Sequence, residues 1–172
     1  MFYSDDRQLL DDVSPFIVAA LNAGNAAIVV ATESHRASLV RRLQASNLDI
    51  VGDIEQGRYI ALDAADMFSR LMVNGMLESG RFLESFGKLI LKTATAAKGK
   101  HPRVAVFGEI TDLLWKQGSA EAVIQDEKLC NQLCERCHVD ILCGYSLGNV
   151  QTVVDEELFQ RICEEHSTVY HP

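Results

Sequence analysis

Hydrophobic positions along the chain follow two patterns. Four short runs are apolar almost without a break, and between them apolar residues recur three and four apart. Ala26 to Ala31 is the clearest run, continuous and rich in β-branched residues, as a strand buried on both faces requires. Runs at 58–62, 103–107 and 139–143 read as three further strands.

The helical stripes alternate with these runs. Leu9, Leu10, Val13, Ile17, Ala20 and Leu21 fall on one side of a first helix. Ser14-Pro15 interrupts it, so the helix is either kinked there or restarted with Ser14 as its cap. After the Ala26 run, Thr32-Glu33-Ser34 leads into a helix predicted to turn Ala37, Val40 and Leu43 inward. A loop through Gly52 and Gly57 follows. Asp63 precedes a stripe of Ala64, Met67, Phe68, Leu71 and Met72, closed by Asn74-Gly75. Ser79 is placed to cap a helix carrying Phe82, Leu83, Phe86, Leu89 and Ile90. Two more helices follow: a short one after Gly108-Glu109 and a longer one from about Ala120 to Cys137. Asp155 is placed to cap the last, with Phe159, Ile162, Cys163 and His166 on its stripe.

This β/α alternation predicts one domain over residues 1–172, a three-layer α/β/α sandwich around a mainly parallel sheet. Ligands of such folds bind beyond the carboxyl ends of the strands. Here those ends carry Thr32, Glu33, His35, Asp63, Glu109 and Tyr145, which are the candidate ligand-binding residues.

Composition narrows the function classes. The chain has 172 residues, 48% of them apolar, enough for one substantial core. A formal net charge of −8 without a basic stripe argues against direct nucleic-acid binding. No apolar run reaches the roughly 20 residues of a membrane span. The opening residues are polar and acidic, unlike a signal peptide, so a cytoplasmic location is expected. Five irregularly spaced cysteines read as reduced thiols.

Catalytic chemistry finds little support. A phosphate-binding loop needs G-x-x-x-x-G-K-[ST], whose amides cradle phosphates while Lys and the hydroxyl serve phosphate and magnesium. Gly87-Lys88 and Gly99-Lys100 lack both the upstream glycine and the following hydroxyl. Cys130, Cys134 and Cys137 have an iron–sulfur-like spacing, but with Leu133 they fall on one helical stripe, where cysteine packs as a small hydrophobe. The reading is therefore no catalytic residue, no metal and no cofactor. Asp63 has a plain structural role as a helix N-cap. Glu109, an acid after a buried strand, either caps the next helix, meets a partner such as Arg70, or contacts a ligand. His35 faces either the ligand crevice or solvent. Trp115 and Tyr145 read as anchors with one polar handle.

The same positions resemble a known family. Phe2-Tyr3-Ser4-Asp5-Asp6, Ile28 to Thr32 with His35, Leu62-Asp63-Ala64 and Met72-Val73-Asn74-Gly75 are similar to motifs of the methanogen/methylotroph sensory domain. The most specific block runs from Arg103-Val104 through Phe107-Gly108-Glu109 to Leu113-Leu114-Trp115-Lys116-Gln117-Gly118. Leu142-Cys143-Gly144-Tyr145 and His166-Ser167 complete it, while Cys130 stands where the family carries a tryptophan. The resemblance implies a fold similar to KaiC/RecA-type ATPases without their nucleotide machinery. It also implies a sensory role: an unknown small-molecule ligand, and an output histidine kinase or regulatory protein as partner. A homodimer is compatible with this. A docking module without ligand is the alternative, and a cysteine-based metal or redox sensor a third.

Overall fold

The structure, a computed structural model, describes residues 1–147 and 156–165. In chain order the elements are β1 (Phe2–Tyr3), α1 (Asp6–Asn22), β2 (Ala26–Ala31), α2 (Glu33–Ala45), α3 (Ile50–Glu55), β3 (Tyr59–Asp63), α4 (Ala64–Leu71), β4 (Met72–Val73), β5 (Met76–Leu77), α5 (Ser79–Ala94), β6 (Val104–Gly108), α6 (Ile110–Lys116), α7 (Ala120–Arg136), β7 (Val139–Cys143), β8 (Tyr145–Ser146) and α8 (Glu156–Glu164).

The main sheet has four parallel strands in the order β3-β2-β6-β7. Every residue of β2 is buried, because strands flank it on both edges and helices cover both faces. Side chains alternate strictly between those faces. Ala26, Ile28 and Val30, with Val104 and Val106, pack against apolar residues of α4, α5, α6 and α7. Ala27, Val29 and Ala31, with Ala105 and Phe107, pack against α1 and α2 through Leu9, Val13, Ile17, Leu39 and Leu43. The period of two thus builds two cores from one sheet, and the α/β sandwich is the observed fold.

Two small ladders extend it. β1 pairs in parallel with β8, Phe2 opposite Tyr145, beyond the end of β7. β4 and β5 form a hairpin whose turn, Asn74-Gly75, has φ of +51° and +78°. Two left-handed residues match the twist of a two-residue hairpin, which Asn-Gly accommodates at least cost. Asn74-Gly75 therefore reverses a strand rather than simply ending α4.

Other local expectations change for equally concrete reasons. α1 is continuous across Ser14-Pro15, and the Ser14 hydroxyl donates to the Leu10 carbonyl at 2.6 Å. The inner stripe of α2 is His35, Leu39 and Leu43, whereas Ala37 is exposed. The expected loop at Gly52 contains α3, capped by the Asp49 carboxylate. Arg58 fixes this corner: buried, it donates twice to Asp53 at 2.7 Å and also to the Leu21 carbonyl at 2.8 Å. It thereby adds a second donor to a carbonyl in the last turn of α1, which also accepts from the Gly24 amide at 3.1 Å. Glu78, not Ser79, caps α5, accepting from the amides of Gly80 and Arg81. Ile162 on α8 is buried. The roles expected of Asp155 and His166, and the side chain of Phe159, lie outside the described residues.

Candidate functional site

The carboxyl ends of β2 and β6 deliver three of the expected residues to one cluster. Thr32 follows β2 and caps α2, its hydroxyl accepting from the His35 amide at 3.4 Å. Glu109 follows β6 and is 2% exposed. Its backbone amide donates to the Val30 carbonyl at 2.9 Å, which holds the residue against the adjacent strand end. One carboxylate oxygen then accepts from the Thr32 amide at 2.6 Å, and the other meets His35 Nδ1. His35 Nε2 lies 3.2 Å from Asp6 on the first turn of α1.

Glu109 therefore serves neither expected structural role. It makes no side-chain cap to α6, and its partners are Thr32 and His35 rather than Arg70. His35 is 8% exposed, held between two carboxylates. The hydrogen bond to Glu109 raises the imidazole above its ordinary value against the opposing effect of burial, and Asp6 adds to the rise. The carboxylate of Glu109 sits at the amino end of α2, where free amides and the helix dipole favour negative charge.

Asp63 lies beside this cluster. Its Oδ1 accepts from the amides of Ala65 and Asp66, at 3.0 and 3.1 Å, which makes it the expected N-cap. Its Oδ2 accepts from Arg36 at 2.8 Å, and Arg36 also donates to the Ala31 carbonyl at the end of β2. The two helix amides and the guanidinium hold its carboxyl below the usual range.

Two expected residues stand apart. Glu33 is exposed on the first turn of α2, outside the cluster. Tyr145 is fully buried in the other core layer, because β8 turns its ring away from the α1/α2 side. Its hydroxyl donates to Glu127 of α7, its ring stacks on Phe2 at 4.9 Å, and Trp115 meets it edge-on at 5.8 Å. Trp115 is thus a packing anchor. Burial raises the Tyr145 phenol well above its ordinary range.

Sequence reasoning missed Asp6, Arg36, Asp126 and Glu127. The last two had a readable signal. Extending the inward stripe of α7 back from Cys130 and Leu133 reaches positions 126 and 127, so two acids occupy apolar positions. Both are 2% exposed. The cysteines divide differently from expectation. Cys134 is exposed, Cys137 is the C-cap of α7, and Cys130 is half-buried with its thiol raised well above its ordinary value by the neighbouring Cys143 and by burial. Among the described residues no group of three or more His, Cys, Asp or Glu is arranged to hold a metal ion.

Beside β7 runs a groove of about 850 Å³, walled by Asp12 and Phe16 of α1, Cys130 and Cys134 of α7, and the strand itself. Among the described residues β7 has only β6 as a neighbour in the sheet. No helix among the described residues is long and apolar enough to cross a membrane.

Glu109 and Trp115, at the start and near the end of α6, lie in the sequence block singled out above. Over residues 1–166 the chain matches the family described as the methanogen/methylotroph, DcmR sensory domain. The chain belongs to this sensory family. No curated protein matches it. As a member of the MEDS family it has a sensory role.

Proposed function

We propose that this MEDS domain binds a small organic ligand at the carboxyl end of its sheet and reports binding to an output partner, such as a histidine kinase or transcription regulator. The observation that carries this reading is the Glu109 carboxylate. It is buried between a helix amino terminus and a histidine, and through Asp6 the contact reaches α1. Such a chain has two discrete states, made or broken, and links β6 to two helices of the opposite layer. A ligand that binds the two states unequally would shift between them.

The same geometry supports a domain without catalysis. Glu109, His35, Asp63 and Arg36 spend polar atoms on each other, on Asp6 and on backbone groups, so among the described residues these side chains are already engaged at the strand ends. Glu109 also fills the anion-binding end of α2, in keeping with a RecA/KaiC-like fold that has given up its nucleotide. A cytoplasmic location fits this role.

The test is a titration of the chain with a panel of small organic molecules, followed by amide NMR. A ligand should shift signals at Gly108 to Thr111 and, through the chain, at Thr32, His35 and Asp6. In Glu109→Gln the first set should persist and the second should weaken. Equal responses in both proteins would refute the relay.

A docking module is the second reading. The groove beside β7 and the absence of a further sheet neighbour among the described residues favour it. A titration in which no small molecule binds would give this reading precedence.

A further inference from the structure

The groove beside β7 gathers nucleophilic side chains that the strand-end cluster does not use. Its α7 wall consists of Glu127, Cys130, Asn131 and Cys134, which fall on one face of that helix. Cys130 and Cys134 stand one turn apart on that face, with Cβ atoms about 5–6 Å apart as in any i,i+4 pair. Sequence spacing grouped Cys137 with these two, but Cys137 ends α7 and is not among the residues that line the groove. Buried Cys143 of β7 lines it instead. Cys134 is exposed and Cys130 half-buried, so the pair is open to solvent from one side.

Electrostatics select the guest. Asp11, Asp12, Glu127 and Asp140 line the groove against one guanidinium, Arg103, which is itself paired with Asp140 at 2.9 Å. A field of this sign draws cations and repels anions. Thiolate sulfur is a soft donor, which favours Cu(I) over the hard cations that carboxylates hold. Structural zinc takes four ligands, and among the described residues no group of three or more is arranged for a metal ion. Cu(I) is satisfied by two thiolates in line. Two metal–sulfur bonds of about 2.3 Å, the length zinc thiolates show, span about 4.6 Å, which side chains one helical turn apart can bridge.

We propose that Cys130 and Cys134 hold one Cu(I) ion between them in the groove beside β7. No electron moves: Cu(I) and two S–H groups become a bis-thiolate, and two protons leave to solvent. The neighbouring Cys143 and burial raise the Cys130 thiol, and burial with Cys143 raises that of Cys134. The ion-free pair is therefore protonated at neutral pH, and only a cation with high affinity for sulfur displaces those protons. Thr32, His35 and Glu109 are not among the groove's lining residues, so this site stands or falls independently of a ligand at the strand ends.

The experiment uses the reduced full chain under nitrogen, carrying Cys137→Ser and Cys163→Ser so that the three remaining thiols are those of the groove. Cu(I) is offered as its coloured bathocuproine complex. The chain should draw off one Cu(I) per molecule, read as loss of that colour, and X-ray absorption should show two sulfur neighbours around the metal. Adding Cys134→Ser, at an exposed position, should weaken binding by at least about a hundredfold, since the loss of an outer partner alone costs up to about that much. Its unfolding temperature should stay within about 2 °C of the parent, which separates lost binding from lost folding. Cys143→Ala should leave the two-sulfur spectrum unchanged. The proposal is overturned if the colour persists, if Cys134→Ser binds as the parent does, or if the spectrum shows nitrogen or oxygen neighbours or a third sulfur.

Discussion

Replacing Glu109 by Gln tests the centre of the relay. Gln keeps the shape and one acceptor oxygen, so the Thr32 amide can still be satisfied. The amide NH2 then faces His35 Nδ1. When the imidazole is neutral, Nδ1 can accept from that NH2 while Nε2 keeps its proton for Asp6. When the imidazole is protonated, two donors confront each other beside a buried cation that has lost a partner. Removing one member of a buried ion pair costs about 3–5 kcal/mol, whereas exchanging a charged for a neutral hydrogen bond costs about 1 kcal/mol. The sign of the pH dependence follows from the raised His35 value. In the parent, the pair's stabilisation is fully present below the unfolded histidine value of about 6.5 and is lost as pH rises through the higher folded value. The variant should therefore lose about 3 kcal/mol or more at pH ~5.5 and about 1 kcal/mol at pH ~8.5. With a slope of about 2–3 kcal/mol per molar urea, its unfolding midpoint should drop by roughly 1–1.5 M at the acid pH and by less than half of that at the alkaline one. Equal drops at both pH values, or none, would refute the assigned pairing.

Two other outcomes follow from the geometry. Gly144→Ala should destabilise the fold by about 1–2 kcal/mol, because the new Cβ would lie 3.1 Å from the ring of Phe107, itself fully buried and unable to yield; an unchanged melting temperature would show that the β7–β8 junction is looser than described. Alkylation of the native chain should modify Cys134 before Cys130 and Cys143, since Cys134 is exposed and Cys143 buried, while the neighbouring Cys143 and burial raise the Cys130 thiol well above its ordinary value; peptide mass mapping that found Cys130 first would contradict this order.

The layers of the sandwich were written into local sequence. A continuous apolar run rich in β-branched residues reads as a strand covered on both faces, so Ala26 to Ala31 identified the sheet's centre from its own composition. The strand at Val139–Cys143, the cap at Asp63 and the position of Glu109 at a strand end were legible for the same reason: each depends on residues within a few positions of itself. The motif block naming the sensory family was also a matter of sequence order alone.

Pairing across the sheet was not legible. Glu109 meets His35 and Thr32 from 74 and 77 residues away, and Asp6 joins from a third element. Such contacts depend on strand order, which periodicity does not specify. The direction of Tyr145 was lost for a related reason. A one-residue step along a strand exchanges the two faces, and only the pairing of β8 with β1 places that ring against Phe2 and Glu127 instead of beside Glu109. The buried acid at Asp126 was half visible, as a charge on an apolar stripe, but the lack of a partner for its Oδ1 is decided only where distant elements converge on α7. Sequence determined the main-sheet strands, the longer helices and the family, because those rest on local chemistry. Tertiary structure decided which polar atoms find partners, because that depends on groups brought together from distant parts of the chain.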